Sequence, residues 1–356
     1  MEKLDLQELE KVASYFVHET DSQNLKTHSA FIRLYEDVTA PDFIVQVEPT
    51  HLISHEQIRK ASDILKRNPI WTRQEFVRHA FPSFISPIAK KEDPATIIVQ
   101  LVYMLDCNSK DRHSINRGIG NWHPTRWEDH QSFQEFVKET LPVSKKQVIP
   151  PQEDLRMLVA WKLKRRYGLQ LISTNNLAEH LLYDPANGGS LRIFHHVSWL
   201  AAQLKQREHT VNTTDSKQSF EAGLLPHQLI QETLDTFYRI LFPLSKDRKR
   251  KSTKLLKALI KEGFFDCNAI LIKALPPENL RYHYWGDRIH VLTELVNNPP
   301  PTSWVAKWLE RKKAERNILW IAIIGIFLSA FFGLISCVIG ALQLWAAFLA
   351  MNQSTS

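Results

Sequence analysis

Histidine spacing offers the first chemistry in this sequence. His51 and His55 stand four apart, which would set two imidazoles on one helical face as zinc ligands. His51, however, precedes Ser54, which reads as a helix cap, so the pair straddles a helix start and no cysteine or glutamate motif completes a site. His195 and His196 are adjacent in a run that alternates like a strand, and neighbours on a strand point to opposite faces. None of the 15 histidines lies beside a nucleophile elbow or an oxyanion loop. Asn187-Gly188-Gly189-Ser190 is a turn signal without the Gly-x-x-x-x-Gly-Lys spacing that cradles phosphates. Cys107, Cys267 and Cys337 are too widely separated for a disulfide framework or a cysteine zinc site, which suits a reducing compartment. No catalytic residue, cofactor or metal is assigned.

Charge gives a second kind of chemistry. Lys246, Arg248, Lys249, Arg250, Lys251, Lys254, Lys257 and Lys261 form the densest basic run, broken by Asp247. A solvated helix entry explains it first, a patch on anionic lipid around Arg248, Lys249, Arg250 and Lys251 second, and nucleic acid last. The net charge of +7 permits nucleic-acid binding, but no aromatic interleaving or RNA-binding signature accompanies the run. Tyr284, Trp285, Asp287 and Arg288 make the best polar-aromatic cluster, either a partner surface or a packed tryptophan beside an internal ion pair.

The elements that would position these residues are mostly helices. Leu4, Leu9, Val12 and Phe16 share a helical face, and Phe43 to Val47 reads as a strand. Ser54 with Gln57, and Thr72 with Glu75, are capping boxes. Asp93-Pro94 opens an apolar helix carrying Ile97, Ile98, Leu101, Val102 and Leu105. The prolines of 143–151 oppose helix and suggest a linker. Beyond it, Leu155, Leu158, Val159, Ala160 and Leu163 predict a helix ending near Gly168, and Thr174 caps another with Leu177, Ala178, Leu181 and Leu182. Leu191 to Val197 alternates like a strand, and polar Lys205 to Phe220 reads as an exposed loop. Helices resume after Pro226 and at Ser252, the latter closed by Gly263; Trp285, Ile289, Leu292 and Val296 form the last face before residue 300. Thr302 would cap an amphipathic helix carrying Trp304 and Trp308.

From Ile318 to Ala350 the chain runs 33 residues without a charge, far beyond the length of a buried core helix. Ile318 to Ile339 alone holds 14 Ile, Leu, Phe or Val residues, worth about 4 to 8 kcal/mol of insertion. One crossing is expected, since the Gly333 region has no polar turn cluster. Lys307, Arg311, Lys312, Lys313 and Arg316 crowd its N-terminal flank, which puts the bulk of the chain in the cytosol. Trp304, Trp308 and Trp320 suit the headgroup layer. The acidic start, with Glu2, Asp5, Glu8 and Glu10, has no apolar signal region, so a tail anchor inserted after translation is expected. Gly325, Ser329 and Gly333 place small side chains on one face, where a second helix could approach.

The segment Tyr282-His283-Tyr284-Trp285-Gly286-Asp287-Arg288-Ile289-His290-Val291-Leu292, then Trp304, Trp308, Phe331-Phe332-Gly333-Leu334-Ile335 and Gly340-Ala341-Leu342-Gln343, resembles a group of uncharacterised filamentous-fungal membrane proteins. These share an aromatic-x-Asp-Arg helix, a tryptophan-containing basic segment and one C-terminal membrane helix. The resemblance covers about Leu280 to Phe348 and, more weakly, Trp161 to Leu204 and Pro226 to Pro243; Gly286 stands where the group usually has Arg, and Glu310-Arg311-Lys312 where it has Asp-Arg-Arg. It implies membrane attachment and domain order, and no reaction.

The sequence therefore predicts a mainly α protein with a few short strands: a helical unit over 1–142, a linker over 143–151 and a second helical unit over 152–300. A basic amphipathic helix over 301–317, one transmembrane segment over 318–350 and a tail over 351–356 complete it. The expected role is a membrane-tethered interaction or scaffold protein, with an enzyme acting at a membrane surface as the alternative. Expected partners are membrane lipids, a second copy through the transmembrane helix and a cytosolic protein of unknown identity; nucleic acid is disfavoured.

Overall fold

A helix begins where a side chain replaces the missing acceptors of its first N–H groups, and here three such starts share one form. The computed structural model describes residues 6–17, 28–39, 53–82, 94–108, 122–146, 152–210, 219, 224–243, 249–272, 280–298 and 318–353. Within it, Ser54 with Gln57, Thr72 with Glu75 and Ser132 with Glu135 are reciprocal capping boxes opening α3 (His55–Arg67), α4 (Arg73–Ala80) and α6 (Phe133–Thr140). They follow α1 (Leu6–Val17) and α2 (Ser29–Thr39), with α5 (Pro94–Tyr103) between α4 and α6. The sequence around Gln74-Glu75-Phe76-Val77 recurs as Gln134-Glu135-Phe136-Val137. The two copies pair reciprocally: Arg73 N–H donates to Gln131 O and Phe133 N–H to Trp71 O, while Gln74 N–H donates to Asp129 O and Gln134 N–H to Pro69 O. This short internal repeat is a local pseudo-twofold, closed underneath by Phe76, Trp127 and Phe136.

The chain continues through α7 (Gln152–Leu155) and α8 (Ala160–Arg166) to a small sheet of β1 (Gln170–Thr174), β2 (Leu182–Asp184) and β3 (Ser190–Phe194). β3 lies in the middle, parallel to β1 and antiparallel to β2. Asn187-Gly188-Gly189 makes the β2–β3 turn, both glycines at φ +93, a conformation that favours residues without a Cβ. Then come α9 (Val197–Thr210), α10 (His227–Asp235) running on into a π-helical end (Thr236–Leu241), α11 (Lys249–Lys261), α12 (Gly286–Asn297) and α13 (Ile318–Gln353). The architecture is mainly helical with a three-stranded sheet.

Four expectations need correction. The helix expected from Leu155 to Gly168 is broken at an extended Val159 (ψ 129), because this break buries Leu158, Val159 and Ala160 in succession, which one helix face cannot do. The helix expected after Thr174 is a 3-10 turn, Leu177–Glu179, followed by β2. Thr174 Oγ1 accepts from Asn176 N–H and donates to Glu179, and Leu181 turns through φ +59, closing the chain too tightly for an α-helix. The loop expected from Lys205 is helical to Thr210, since Lys205-Gln206-Arg207-Glu208 are good helix formers extending a turn whose Trp199 and Leu200 are buried. The helix expected from Ser252 begins earlier, at Lys249, with Ser252 buried inside it. The strand expected at 43–47 and the helix expected after Thr302 lie outside the described residues.

Contacts divide the chain into two compact units, Met1–Asn298 and Pro299–Ser356. In the first unit a contiguous hydrophobic core draws on residues from Val12 to Val296. The segment expected to link two units is tied into this unit at its start, because Ser144, Lys145 and Lys146 hydrogen-bond to the N-terminus of α12. α13, in the second unit, runs unbroken for 36 residues.

Candidate functional site

The aromatic motif before α12 is built inward. Glu232 of α10 is fully buried and accepts from the backbone N–H groups of His283, Tyr284 (2.8 Å) and Trp285 (3.0 Å) and from Gln228 Nε2 (2.8 Å). One carboxylate thus gathers the three consecutive N–H groups of the segment that leads into α12. Trp285 is 2% exposed and its indole N–H donates to Thr233 Oγ1 at 2.9 Å. Asp287 accepts from Lys145 and Lys146 N–H, both at 2.9 Å, and its own N–H donates to Ser144 Oγ. Burial works against the Asp287 carboxylate, but these N–H groups prevail and hold its pKa below the usual range. Arg288 lies over the Trp285 ring, 4.8 Å from its centroid, and donates to the His180 carbonyl. Trp285 is packed inward as the internal reading expects, but Asp287 and Arg288 bind backbone groups of other segments instead of each other, and the cluster clamps α10, α12 and residues 144–146 together. Gly286 shows how close that clamp is, since a Cβ there would sit 2.1 Å from the Lys146 carbonyl oxygen.

His180 belongs to the same buried network. Its Nδ1 accepts from Phe194 N–H at 3.2 Å, so Nε2 carries the proton and donates to Thr236 Oγ1 at 2.7 Å. Burial, reinforced by Arg288, lowers its pKa to about 3, which keeps the ring neutral.

A pocket of about 220 Å³ opens where α2, the end of β1, the β3–α9 turn and the segment after α11 meet. Ser29, Asn175, His195, His196 and Cys267 line it, with Arg33 and Phe264. The two histidines do not point to opposite faces, because β3 ends at Phe194 and the alternation ends with it. Their Nε2 atoms both lie 2.9 Å from Asn175 Oδ1, and their Nδ1 atoms are buried without a hydrogen-bond partner. Burial lowers the His195 pKa to about 4, with help from Arg33, and pushes that of His196 well below its ordinary value. Both imidazoles are therefore neutral at pH 7, and burial opposes their protonation. Ser29 Oγ and Cys267 Sγ contact each other at 2.9 Å in the same pocket. His55 stacks on Tyr35, with Nδ1 2.7 Å from its hydroxyl, while His51 lies outside the described residues. Among the described residues no group of three His, Cys, Asp or Glu side chains is placed to hold a metal.

The basic run lies on α11, which packs against α8. Arg250 and Lys251 are exposed, Lys249 starts the helix, and Arg248 is outside the described residues. Sequence reading missed the contribution of α8: Lys164, Arg165 and Arg166 are also exposed, and Lys251 Nζ sits 4.6 Å from the Trp161 ring centroid. The basic patch around Lys251 and the aromatic ring it needs come from segments about ninety residues apart, so no local pattern announces them.

α13 is apolar around most of its circumference, with Gln343 the largest polar side chain within Ile323–Ala347, and none of those 25 residues is buried. A helix with no polar face has the length and composition to cross a bilayer. Gly325, Ser329 and Gly333 lie along it, and Ser329 Oγ donates back to Gly325 O at 2.9 Å, so the hydroxyl is satisfied within the helix. Trp320 falls in its first turn. Trp304, Trp308, Lys307, Arg311, Lys312, Lys313 and Arg316 lie outside the described residues. No family model matches the chain, and neither curated proteins nor solved structures offer a match.

Proposed function

We propose that this chain is a membrane-tethered interaction protein, held in the bilayer by α13 with its N-terminal unit in the cytosol. The observation that carries this reading is the length and nearly uniform apolarity of α13, whose Phe327, Leu334 and Leu344 are side chains that lipid solvates and water does not. Orientation rests on Lys307, Arg311, Lys312, Lys313 and Arg316 before the helix and on the absence of charge from Ile318 to Ser356. The resemblance to fungal membrane proteins supports the same attachment. The small residues Gly325, Ser329 and Gly333 favour a second copy as one partner.

An N-glycosylation acceptor added after Ser356 should be modified in cells, while the same acceptor added before Met1 should not. The opposite pattern would overturn the orientation. A second reading, an enzyme acting at the membrane surface, is favoured by one observation, the pocket in which neutral His195 and His196 sit beside the Ser29 hydroxyl and the Cys267 thiol.

A further inference from the structure

We infer that α8 and α11 together form a headgroup-binding face for anionic lipid, a second attachment that rests on the reading of α13 as the anchor. The two helices carry ten Lys and Arg residues and no Asp or Glu. On α11, Arg250, Lys254, Lys257 and Lys261 recur at helical spacing and fall within one narrow stripe, opposite the buried Ser252, Leu256 and Leu259. That stripe extends roughly 16 Å along the helix axis. No carboxylate among the described residues pairs with any of these four cations, although Lys11, Arg59, Lys60, Arg192 and Arg239 all have such partners. A row of cations without a carboxylate partner among the described residues, all turned away from the core, is matched by a surface with dense negative charge.

Two apolar features favour a bilayer surface over a nucleic acid. Trp161, half-buried between the helices under Lys251 and Lys162, is an amphipathic ring of the kind that settles at headgroup depth. Phe264, just past the end of α11, is 56% exposed, and an exposed phenyl ring beside a row of cations suits the boundary between headgroups and acyl chains. The anchor adds a third argument, because tethering raises the effective concentration of headgroups at the face without any new contact. Each cation near an anionic leaflet strengthens attachment severalfold, so four in a row suffice for a second, salt-sensitive attachment.

The test uses the full chain reconstituted into phosphatidylcholine vesicles, with or without about one-third phosphatidylserine, and reads lysine acetylation rates by mass spectrometry. Lys254, Lys257 and Lys261 should react about fivefold or more slowly on the anionic vesicles, with the protection lost in high salt, and exposed Lys60 on α3 should react equally on both. In the quadruple variant Arg250→Gln, Lys254→Gln, Lys257→Gln, Lys261→Gln, the protection of the remaining Lys164 and Lys251 should fall towards the neutral-vesicle rate. Equal rates on both vesicles would overturn the proposal. So would protection by duplex DNA or RNA without protection by phosphatidylserine, which would assign the face to nucleic acid. Flotation of the same samples in alkaline carbonate reads α13 separately, so a failed anchor and a failed headgroup face give different results.

Discussion

Acidification from pH 7 to pH 5 should lower the unfolding free energy of the N-terminal unit by about 4 kcal/mol or more, with the loss beginning near pH 6.5. Three histidines produce it. His180 and His195 have folded pKa values of about 3 and about 4, and that of His196 lies well below its ordinary value, in each case because burial penalises the imidazolium. A histidine whose pKa is depressed by folding contributes stability that is complete above its unfolded pKa and is lost as pH falls, because the unfolded chain then binds a proton the folded chain refuses. At pH 5, about 1.5 pH units below the unfolded value, His180 and His195 cost about 2 kcal/mol apiece, and His196 acts in the same direction. Glu232, Asp235 and Asp266 act in the opposite sense: burial raises their pKa values, so protonation in the folded state offsets part of the loss at lower pH. Denaturant midpoints for the full chain in detergent, followed by tryptophan fluorescence at pH 7, 6 and 5, measure this directly. A midpoint that does not move across that range would show that the folded chain protonates these imidazoles as readily as the unfolded chain does.

Replacing Glu232 with alanine should destabilise the same unit by about 3 to 5 kcal/mol at pH 7. The carboxylate accepts from three consecutive backbone N–H groups, His283 to Trp285, and its loss leaves donors in and around a buried tryptophan without acceptors. Each orphaned donor costs about 1 to 3 kcal/mol, and entry of water through the half-buried His283 recovers some of it. Glu232→Gln keeps one acceptor oxygen but sets an amide NH2 against N–H groups, so its cost should fall between those of wild type and alanine. Glu294→Ala, which removes only an exposed partner of His290 on the same helix α12, should change stability by less than about 0.5 kcal/mol. Urea unfolding of the three variants makes the comparison, and a Glu232→Ala cost near that of Glu294→Ala would show that α12's start is held by packing alone.

These two effects involve residues whose importance is hard to read from sequence, and the reason is physical. Helix starts that depend on side chains three apart were visible: Ser54 with Gln57 and Thr72 with Glu75 form the expected boxes, because capping is a local interaction. α13 was visible because its apolar length exceeds anything a core helix needs. Glu232, by contrast, sits in an ordinary amphipathic pattern, and its partners lie about fifty residues away. The motif Trp285-Gly286-Asp287-Arg288 stood out by composition, yet whether it faced a partner or the core depended on Ser144 to Lys146, far off in the chain. The same applies to the pocket, where His195 and His196 converge on Asn175 only because β3 stops one residue before them. The stretch from Thr174 to Leu182 misled for a related reason: its apolar spacing fits a helix, but Thr174, Asn176 and Glu179 offer the backbone a tighter, side-chain-closed turn.

Alkaline carbonate extraction of cell membranes carrying either the full chain or a chain stopped before Ile318 tests membrane attachment through α13 most directly. The full chain should remain in the membrane pellet at high pH, and the shortened chain should be released into the supernatant. Release of the full chain, or retention of the shortened one, would contradict it.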